Sequence, residues 1–224
     1  MLHLRNDETD RYPLFKQLLP EYKSKDKLLD FGGNQGNLLY FSNGDILEKN
    51  YTCIDVSKKA IAIGKKEFPK AHFIHWDRYN EMYNHNGLKN IMPDYKIYNK
   101  FVWAYSVFSH IIISDIIEFV IWLKTLKPKK IILSYLTNDG DDNSKKVLNY
   151  FYSKRINKYN KCVDFRENNN EYFYLTDNYY GHNKGDEFIA VYKTSLLIKT
   201  LKEYGIKAKK IIADKWPIPF LEIT

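Results

Sequence analysis

Short apolar runs alternate with helical patterns along most of this chain, and no other feature of the sequence constrains the fold as strongly. Parallel strands need a crossover between them, usually a helix, so this alternation is typical of a doubly wound α/β sheet. The final two runs are joined by only a few residues, which predicts an antiparallel pair. We therefore expect a seven-stranded, mostly parallel sheet with an antiparallel last strand. The predicted strands cover 27–31, 51–56, 71–76, part of 99–108 ending near Tyr105, 129–136, 206–213 and 217–224.

The helical patterns carry start and stop residues. A first helix is expected in 11–22, where Pro13 suits the first turn and apolar residues recur at helical spacing. Later helices are expected over 57–68, 114–128 and 194–205. Their expected N-caps are Ser57, Ser114 and either Thr194 or Ser195, and their expected stops are Pro128 and Gly205.

Residues 137–193, between the fifth strand and the last helix, are rich in Asn, Tyr and Lys. The pattern over 144–159 predicts an amphipathic helix, and "EYFYLT" with "EFIAVYKT" predicts a hairpin. We expect this stretch to be an insertion within a single domain over 1–224, and residues 1–24 to form an N-terminal cap or lid.

Composition excludes several classes of protein. The chain has 224 residues, of which 44% are hydrophobic, enough for one domain with a sizeable core. It lacks an apolar run of ~18 residues and an apolar segment near its start, so neither a membrane span nor a signal peptide is expected. Two cysteines, Cys53 and Cys162, are too few for a disulfide framework or a zinc cluster. These features predict a soluble, cytoplasmic protein in which Cys53 is a small core residue.

The net charge of +8 raises the question of a nucleic-acid partner. The lysines are scattered in short clusters, which favours a solvated surface over a dedicated nucleic-acid patch. Nothing in the sequence indicates the oligomeric state.

The stretch "LLDFGGNQGNLL" (28–39) follows the first predicted strand and opens a helix. It fits neither the dinucleotide fingerprint nor the phosphate-binding P-loop, because asparagines replace two glycines and no Lys-Ser or Lys-Thr follows. Gly32 and Gly33 suit a sharp turn with close approach to a ligand, and Gly36 suits tight packing of helix and strand. Asp30, just before them, would repel a pyrophosphate but attract an ammonium.

Two more acids end the next strands. Asp55 follows the glycines by roughly twenty residues, where an acid can accept hydrogen bonds from a ribose. Asp77 ends the third strand and is placed to accept from an adenine amino group, with Trp76 or Arg78 covering the ring. S-adenosylmethionine (SAM) carries an ammonium, a ribose and an adenine. Each acid alone also has a structural interpretation, with Asp30 capping a turn and Asp55 capping the helix near Ser57.

Through these residues, the sequence resembles the class I (Rossmann-like) SAM-dependent methyltransferases over roughly 25–136 and 194–224. The motifs that carry the resemblance are "LLDFGGNQGNLL", "YTCIDVS", "FIHWD", "NKFVWAYSVFSHI", "LKPKKIILSYL" and "PIPFLEIT". The resemblance implies a Rossmann-like methyltransferase fold, SAM as cofactor and S-adenosyl-L-homocysteine as product. Asn34 departs from the glycine that many members have. The cofactor-binding residues it implies are Asp30, Gly32, Gly33, Asn34, Gly36, Asp55, Val56, Trp76, Asp77 and Tyr105.

The methyl acceptor is less defined. In the fourth motif, Ala104-Tyr105-Ser106-Val107 replaces the Asn/Asp-Pro-Pro-Tyr/Phe of enzymes that methylate amino groups of bases, and no cysteine follows a proline. The segment resembles small-molecule and saccharide-modifying members, which implies His110 as a general base and Tyr105 as a second catalytic residue. His110 has a second interpretation as a cap or packing residue. For "TNDGDDN" (137–143) a solvated turn is preferred over a metal site, and no metal is expected.

Polar and aromatic residues outside the motifs are the expected acceptor contacts: Arg11, Tyr12, Tyr179, Tyr180 and His182. An ordinary Tyr-rich surface explains them equally well. If they line a pocket, the acceptor is a small polar or anionic molecule such as a sugar, a phosphorylated metabolite or a surface-polysaccharide precursor, methylated on oxygen. RNA methylation and a non-catalytic SAM-binding accessory role are the alternatives.

Overall fold

The structure is a computed structural model that describes residues 10–79, 86–88, 91–142, 144–146, 163–167, 172–176, 189–214 and 216–224. The strands are β1 (Leu28–Phe31), β2 (Tyr51–Asp55), β3 (His72–His75), β4 (Phe101–Ala104), β5 (Lys130–Ser134), β6 (Leu136–Thr137), β7 (Val163–Glu167), β8 (Tyr172–Thr176), β9 (Ile189–Tyr192), β10 (Ala208–Ile211) and β11 (Phe220–Ile223). The helices are α1 (Tyr12–Leu18), α2 (Asn37–Phe41), α3 (Lys58–Glu67), α4 (Ile113–Thr125) and α5 (Thr194–Glu203), with a short 3₁₀ turn at Glu48–Asn50.

The main sheet has seven strands in the order β10-β11-β5-β4-β1-β2-β3. β1 pairs in parallel with β2 on one side and β4 on the other, so the strand order reverses between β1 and β4. β10 and β11 pair antiparallel. All residues of β1, β2 and β4 are buried, as expected for central parallel strands covered on both faces. The predicted mostly parallel sheet with an antiparallel end is confirmed.

The chain groups into two compact units, one comprising 1–105 and 122–132, the other 106–121 and 133–224. The prediction of a single domain remains a prediction. In the parts of the chain that the structure describes, no helix is long and apolar enough to cross a membrane.

In the first unit, α1 is amphipathic and places its apolar stripe in the core. Leu14, Phe15, Leu18 and Leu19 are buried, as their spacing predicts, and Pro13 lies in the first turn. The Phe15 ring packs edge-on against Trp103 of β4, with ring centroids 5.6 Å apart. These contacts fix the segment that precedes β1 on the first unit.

The second unit contains a smaller sheet in the order β6-β9-β8-β7. β8 pairs antiparallel with β9, which confirms the predicted hairpin, and also with β7, a strand that was not predicted. The helix predicted over 144–159 lies outside the described residues except for 144–146.

Two of the predicted helix starts are wrong. Ser57 does cap α3, since its side chain accepts from the Ala60 N–H at 3.3 Å. α4 begins at Ile113 rather than after Ser114, because the Ile116 N–H already bonds to the Ile112 carbonyl. The N-cap of α5 is Lys193, and Thr194 is its first helical residue. The stops are confirmed: α4 ends before Pro128, and Gly205, at φ 72°, follows α5.

Candidate functional site

The glycine loop after β1 lies at the carboxyl edge of the sheet, where the strand order reverses. The Gly32 N–H donates to the Ile54 carbonyl at 2.7 Å, and Gly32 has a φ of 74°. Gly36 is the left-handed N-cap of α2 at φ 81°, a conformation that costs other residues energy. In open α/β sheets, ligands bind at this crevice.

Asn34 has a defined role in the loop. It adopts a left-handed φ of 55°, which asparagine tolerates better than most residues. Its side-chain Oδ1 accepts from the Gln35 N–H at 2.9 Å, and its own N–H donates to Asp55 Oδ2 at 2.8 Å. Asparagine therefore supplies the turn conformation that glycine gives elsewhere and adds a bond that stabilises it.

Asp55, at the end of β2, joins the loop to α3. One carboxylate oxygen accepts from Asn34, and the other accepts from the Ser57 N–H at 2.8 Å. The side chain is largely buried, at 9% exposure. A carboxylate oxygen accepts more than one hydrogen bond, so these contacts are compatible with an added ribose hydroxyl. The structural interpretation of Asp55 is thus observed, and its ribose contact remains a prediction.

Asp30 lies beneath the loop. It is 3% exposed, and the Tyr51 hydroxyl donates to its Oδ2 at 2.5 Å. A Cβ added at Gly33 would lie 2.6 Å from the Asp30 carboxyl, so only glycine fits above this acid. Burial, together with the charge of Asp55, raises the pKa of Asp30 to about 7, although the Tyr51 hydrogen bond acts in the opposite direction. The carboxyl supports the loop from below, and its contact with an ammonium remains a prediction.

Cys53 lies beside this acid in β2. It is fully buried, and its Sγ is 3.4 Å from the Asn34 carbonyl oxygen. Burial and the charges of Asp30 and Asp55 raise the pKa of the Cys53 thiol well above its usual value. Cys53 is therefore a neutral core residue, as predicted.

The residues at the end of β3 differ in exposure. Trp76 is 5% exposed, and its indole N–H donates to the Ile91 carbonyl at 2.9 Å. The Phe31 ring packs against the Trp76 ring, and the Arg78 guanidinium lies 5.4 Å from the centroid of the Trp76 ring. Asp77 is exposed, and Val56 is half-buried with its carbonyl 3.2 Å from His75 Nε2. The adenine contacts of this group remain predictions.

The end of β4 brings together two residues that the sequence had assigned to different roles. Asp30 is in register with Trp103, so Gly32 and Tyr105 follow at the same edge. Tyr105 stacks on Trp103 at 6.3 Å, and the Arg11 Cζ lies 4.9 Å from the Tyr105 centroid. Nothing in the sequence indicated this pairing, because the two residues are far apart in the chain.

No protein-family model matches the sequence, and no curated protein matches it. Solved structures do match. The glycopeptide N-methyltransferase MtfA in complex with sinefungin has 9% identity and a TM-score of 0.59, over 99% of this chain and 95% of that one. A SAM-dependent methyltransferase from Bacteroides fragilis, in complex with S-adenosyl-L-homocysteine, has 16% identity and a TM-score of 0.55, over 99% and 81%. The mitomycin 7-O-methyltransferase MmcR has 12% identity and a TM-score of 0.56, over 95% and 53%.

The strand order and these matches agree. The chain has the class I methyltransferase fold. At these identities the likeness concerns the fold alone, and it places the glycine loop and the ends of β2 and β3 at the carboxyl edge of a methyltransferase sheet.

His110, the expected base of this methyltransferase fold, lies in the second unit. Its N–H donates to the Val107 carbonyl at 3.0 Å, and the residue is half-buried. Both neighbours in the chain are held by β9: the Ala190 N–H donates to the Ser109 carbonyl at 2.8 Å, and the Tyr192 hydroxyl donates to the Ile111 carbonyl at 2.5 Å. Tyr192 was missed from sequence because a tyrosine in an apolar strand does not reveal which carbonyl its hydroxyl meets.

Asp139 lies in the turn after β6, where it is exposed as the predicted solvated turn requires, but its carboxylate also has defined partners. It accepts from the Thr194 N–H at 2.8 Å, the Thr194 hydroxyl at 2.5 Å and the Lys210 ammonium at 2.7 Å. Burial alone would raise the pKa of Asp139, but these partners lower it to about 2. Among the described residues, no group of three or more His, Cys, Asp or Glu side chains is arranged to hold a metal ion.

Three of the expected acceptor contacts, Tyr179, Tyr180 and His182, lie outside the described residues. Of the other two, Tyr12 donates its hydroxyl to Asp45 Oδ2 at 2.5 Å, and the Arg11 guanidinium lies over the Tyr105 ring.

Proposed function

We propose that this protein is a SAM-dependent methyltransferase acting on the oxygen of a small polar molecule, such as a sugar, a phosphorylated metabolite or a surface-polysaccharide precursor. The observation that carries the proposal is the loop of Gly32, Gly33, Asn34 and Gly36, tied to Asp55 at the point where a class I sheet reverses its strand order. S-adenosyl-L-homocysteine is the product.

The chain's residues fit this cofactor. The backbone of Gly32 and Gly33 permits close approach, because no side chain covers it. Asp55 accepts from the ribose hydroxyls in addition to its two backbone donors, and the exposed Asp77 accepts from the adenine amino group. Val56 and Trp76 line the same region. When its carboxyl group is ionised, Asp30 attracts the ammonium of a cofactor bound above the loop.

When bound, SAM supplies an electrophilic methyl group on a sulfonium. His110 accepts the proton of the acceptor hydroxyl as its oxygen attacks that methyl carbon. S-adenosyl-L-homocysteine would leave with the electron pair of the carbon–sulfur bond, so charge and atoms would balance. The links from β9 to Ser109 and Ile111 hold the backbone on either side of His110. Most of the rate gain comes from positioning the two reactants.

Oxygen is favoured over nitrogen because the segment after β4 has no Asn/Asp-Pro-Pro motif and does have His110. The similar structures include both an N-methyltransferase and an O-methyltransferase by name. The net charge of +8 favours RNA methylation as the second candidate. A steep loss of RNA binding with added salt would support that candidate.

Calorimetric titration of SAM and S-adenosyl-L-homocysteine tests the cofactor site. Wild type is expected to bind both, and Asp55→Ala to bind each about 10- to 100-fold more weakly, because it loses both the ribose acceptor and the anchor of Asn34. Asp94→Ala removes an exposed acid in the segment before β4 and serves as the control. If wild type binds neither ligand, or if Asp55→Ala binds them as tightly as wild type does, the assignment of the SAM site is wrong.

A second assay follows transfer of labelled methyl groups from SAM into small-molecule extracts. His110→Ala is expected to lower transfer by about 10²- to 10⁴-fold while leaving S-adenosyl-L-homocysteine binding unchanged. Tyr192→Phe removes only the hydroxyl that holds Ile111 and is expected to cause a smaller loss. Full turnover by His110→Ala removes His110 from the mechanism.

A further inference from the structure

Arg11 and Tyr105, which the sequence assigned separately to the acceptor and to the cofactor, form a cation–π pair on the first unit. The Arg11 Cζ lies 4.9 Å from the centroid of the Tyr105 ring, and both side chains are half-buried. This distance is within the range in which a cation is attracted to the face of an aromatic ring.

Neighbouring residues of β4 and α1 hold Arg11 and Tyr105 in position. Tyr105 is stacked on the buried Trp103, with planes 11° apart, and Trp103 in turn receives the edge of Phe15 from α1. Arg11 directly precedes this helix, and its guanidinium Nη1 donates to the Asp10 carbonyl at 3.1 Å. The stack is therefore held from both sides, by the sheet under the tyrosine and by the helix after the arginine.

The register between β1 and β4 places this cation at the ligand edge. Trp103 pairs with Asp30, and each chain continues two residues further, to Tyr105 and to Gly32. The carboxyl ends of the neighbouring strands β1, β2 and β3 carry the acids Asp30, Asp55 and Asp77. The Arg11 guanidinium lies beside the end of the next strand, β4, where it meets Tyr105.

The chemistry of the guanidinium group limits the kinds of ligand that Arg11 can bind. Stacking uses the face of the group, whereas its N–H donors point outward in the plane and match the two oxygens of a carboxylate or phosphate. Contact with the Tyr105 ring restricts the guanidinium, so less rotamer entropy remains to be lost on binding.

We propose that Arg11, oriented by Tyr105, binds a carboxylate or phosphate group of the methyl acceptor, which makes the acceptor an anion. The proposal rests on the methyltransferase function proposed above. Arg11 acts in substrate specificity, and Tyr105 acts as its positioning residue.

The test uses inorganic phosphate as the probe, titrated into the full-length protein saturated with S-adenosyl-L-homocysteine. Wild type is expected to bind phosphate, Arg11→Gln to lose about tenfold or more in affinity, and Arg11→Lys to recover part of it as a point charge. Tyr105→Leu removes the ring but not the charge and is expected to weaken phosphate binding less than Arg11→Gln. Lys16→Gln removes an equal charge from an exposed position on α1 and is expected to have no effect.

A parallel titration distinguishes the acceptor from the cofactor as the source of the anion. S-adenosyl-L-homocysteine and its decarboxylated analogue, which keeps the ammonium, are each titrated into wild type and Arg11→Gln. Equal affinities in the two proteins support the proposal. A loss in Arg11→Gln confined to the carboxylated ligand overturns it, because the cation then serves the cofactor.

The remaining outcomes are also decisive. Phosphate binding that is absent from wild type, or equal in wild type, Arg11→Gln and Lys16→Gln, overturns the anion site while leaving the cofactor site intact. If wild type fails to bind S-adenosyl-L-homocysteine at all, the proposed function itself has failed, so the two failures are distinguishable.

Discussion

Two acids with defined partners, the buried Asp30 in the first unit and the exposed Asp139 in the second, show how different surroundings change the same side chain. Both lie at or just beyond the end of a strand. Asp30 is met by a neutral hydroxyl, that of Tyr51, whereas Asp139 is met by the Lys210 ammonium, an amide and a hydroxyl. The pKa of Asp30 is raised to about 7 by burial, and that of Asp139 is lowered to about 2 by its partners.

This difference in partners indicates different roles: Asp139 is a structural link, whereas Asp30 supports the loop at which a ligand is expected. Asp139 links the turn after β6 to α5 and β10 within the second unit, and the Lys210 ammonium balances its negative charge. Asp30 has no cation among the bonds described around it and sits below the glycine loop, where a ligand is expected. Buried acids without a matching cation are typical of functional regions, because stability alone does not favour them.

The largest expected effect is that of Gly33→Ala. The new Cβ would lie 2.6 Å from the Asp30 carboxyl and 3.0 Å from Cys53 Sγ, so the loop or the acid must move. We expect a loss of about 3 kcal/mol in the free energy of unfolding, together with at least tenfold weaker SAM binding. Thermal melts and calorimetry measure both.

Gly140→Ala is the control for Gly33→Ala. Gly140 has a φ of 83° but no atom within 4 Å of an added Cβ, so this variant incurs only backbone strain. We expect about 1 kcal/mol of destabilisation and unchanged SAM binding. If the two variants behave alike, contact with Asp30 is not what requires glycine at Gly33.

The next prediction concerns pH. Because the folded chain keeps the Asp30 proton up to about pH 7 and the unfolded chain loses it near 3.8, the folded state binds more protons between these values. Asp30 therefore lowers the free energy of unfolding as pH rises through this window, with a slope of at most about 1.4 kcal/mol per pH unit. Urea titrations across this range are expected to show the slope in wild type and a flatter profile in Asp30→Asn. An unchanged profile contradicts the raised pKa.

Asp139→Asn is expected to show the opposite sign. The contribution of Asp139 is complete above about pH 4 and is lost as pH falls toward 2, since there the unfolded chain binds the proton first. At neutral pH the variant keeps an acceptor for the Thr194 N–H but loses the charge beside Lys210, and part of this pair is exposed. We expect about 1 kcal/mol of destabilisation, measured by urea unfolding. Equal stability at pH 7 would remove Asp139 as a link.

The last predictions concern a matched pair, Tyr51→Phe and Tyr135→Phe. Each removes one buried hydroxyl, bonded to Asp30 at 2.5 Å or to Thr194 at 2.6 Å. Both are expected to lower the free energy of unfolding by about 1 kcal/mol. Only Tyr51→Phe should raise the pKa of Asp30 further, because its hydroxyl hydrogen bond lowers it, and NMR titration of the carboxyl measures this shift.

The sheet and the location of the glycine loop were predictable because both depend on local pattern. Alternating apolar runs and helical patterns predict parallel strands connected by helices. Gly32 and Gly36 lie where the backbone adopts positive φ. The N-caps expected at Ser114 and Thr194 were wrong, and for Thr194 the reason is a long-range contact that the sequence does not show. Thr194 already directs its hydroxyl to Asp139 and Tyr135, so a good capping residue was engaged elsewhere.

By itself, the sequence determined the mostly parallel sheet with its antiparallel end, the loop that follows β1, the burial of Cys53 and the apolar stripe of α1, because these follow from neighbouring residues and their periodicity. Only the tertiary structure decided that Asn34 bonds to Asp55, that Asp30 lies under Gly33, that Asp139 meets Lys210 and that Arg11 lies on Tyr105. Each of these depends on side chains that are distant in the chain and meet only when strands pair and helices pack, and burial then sets the charge state that they adopt.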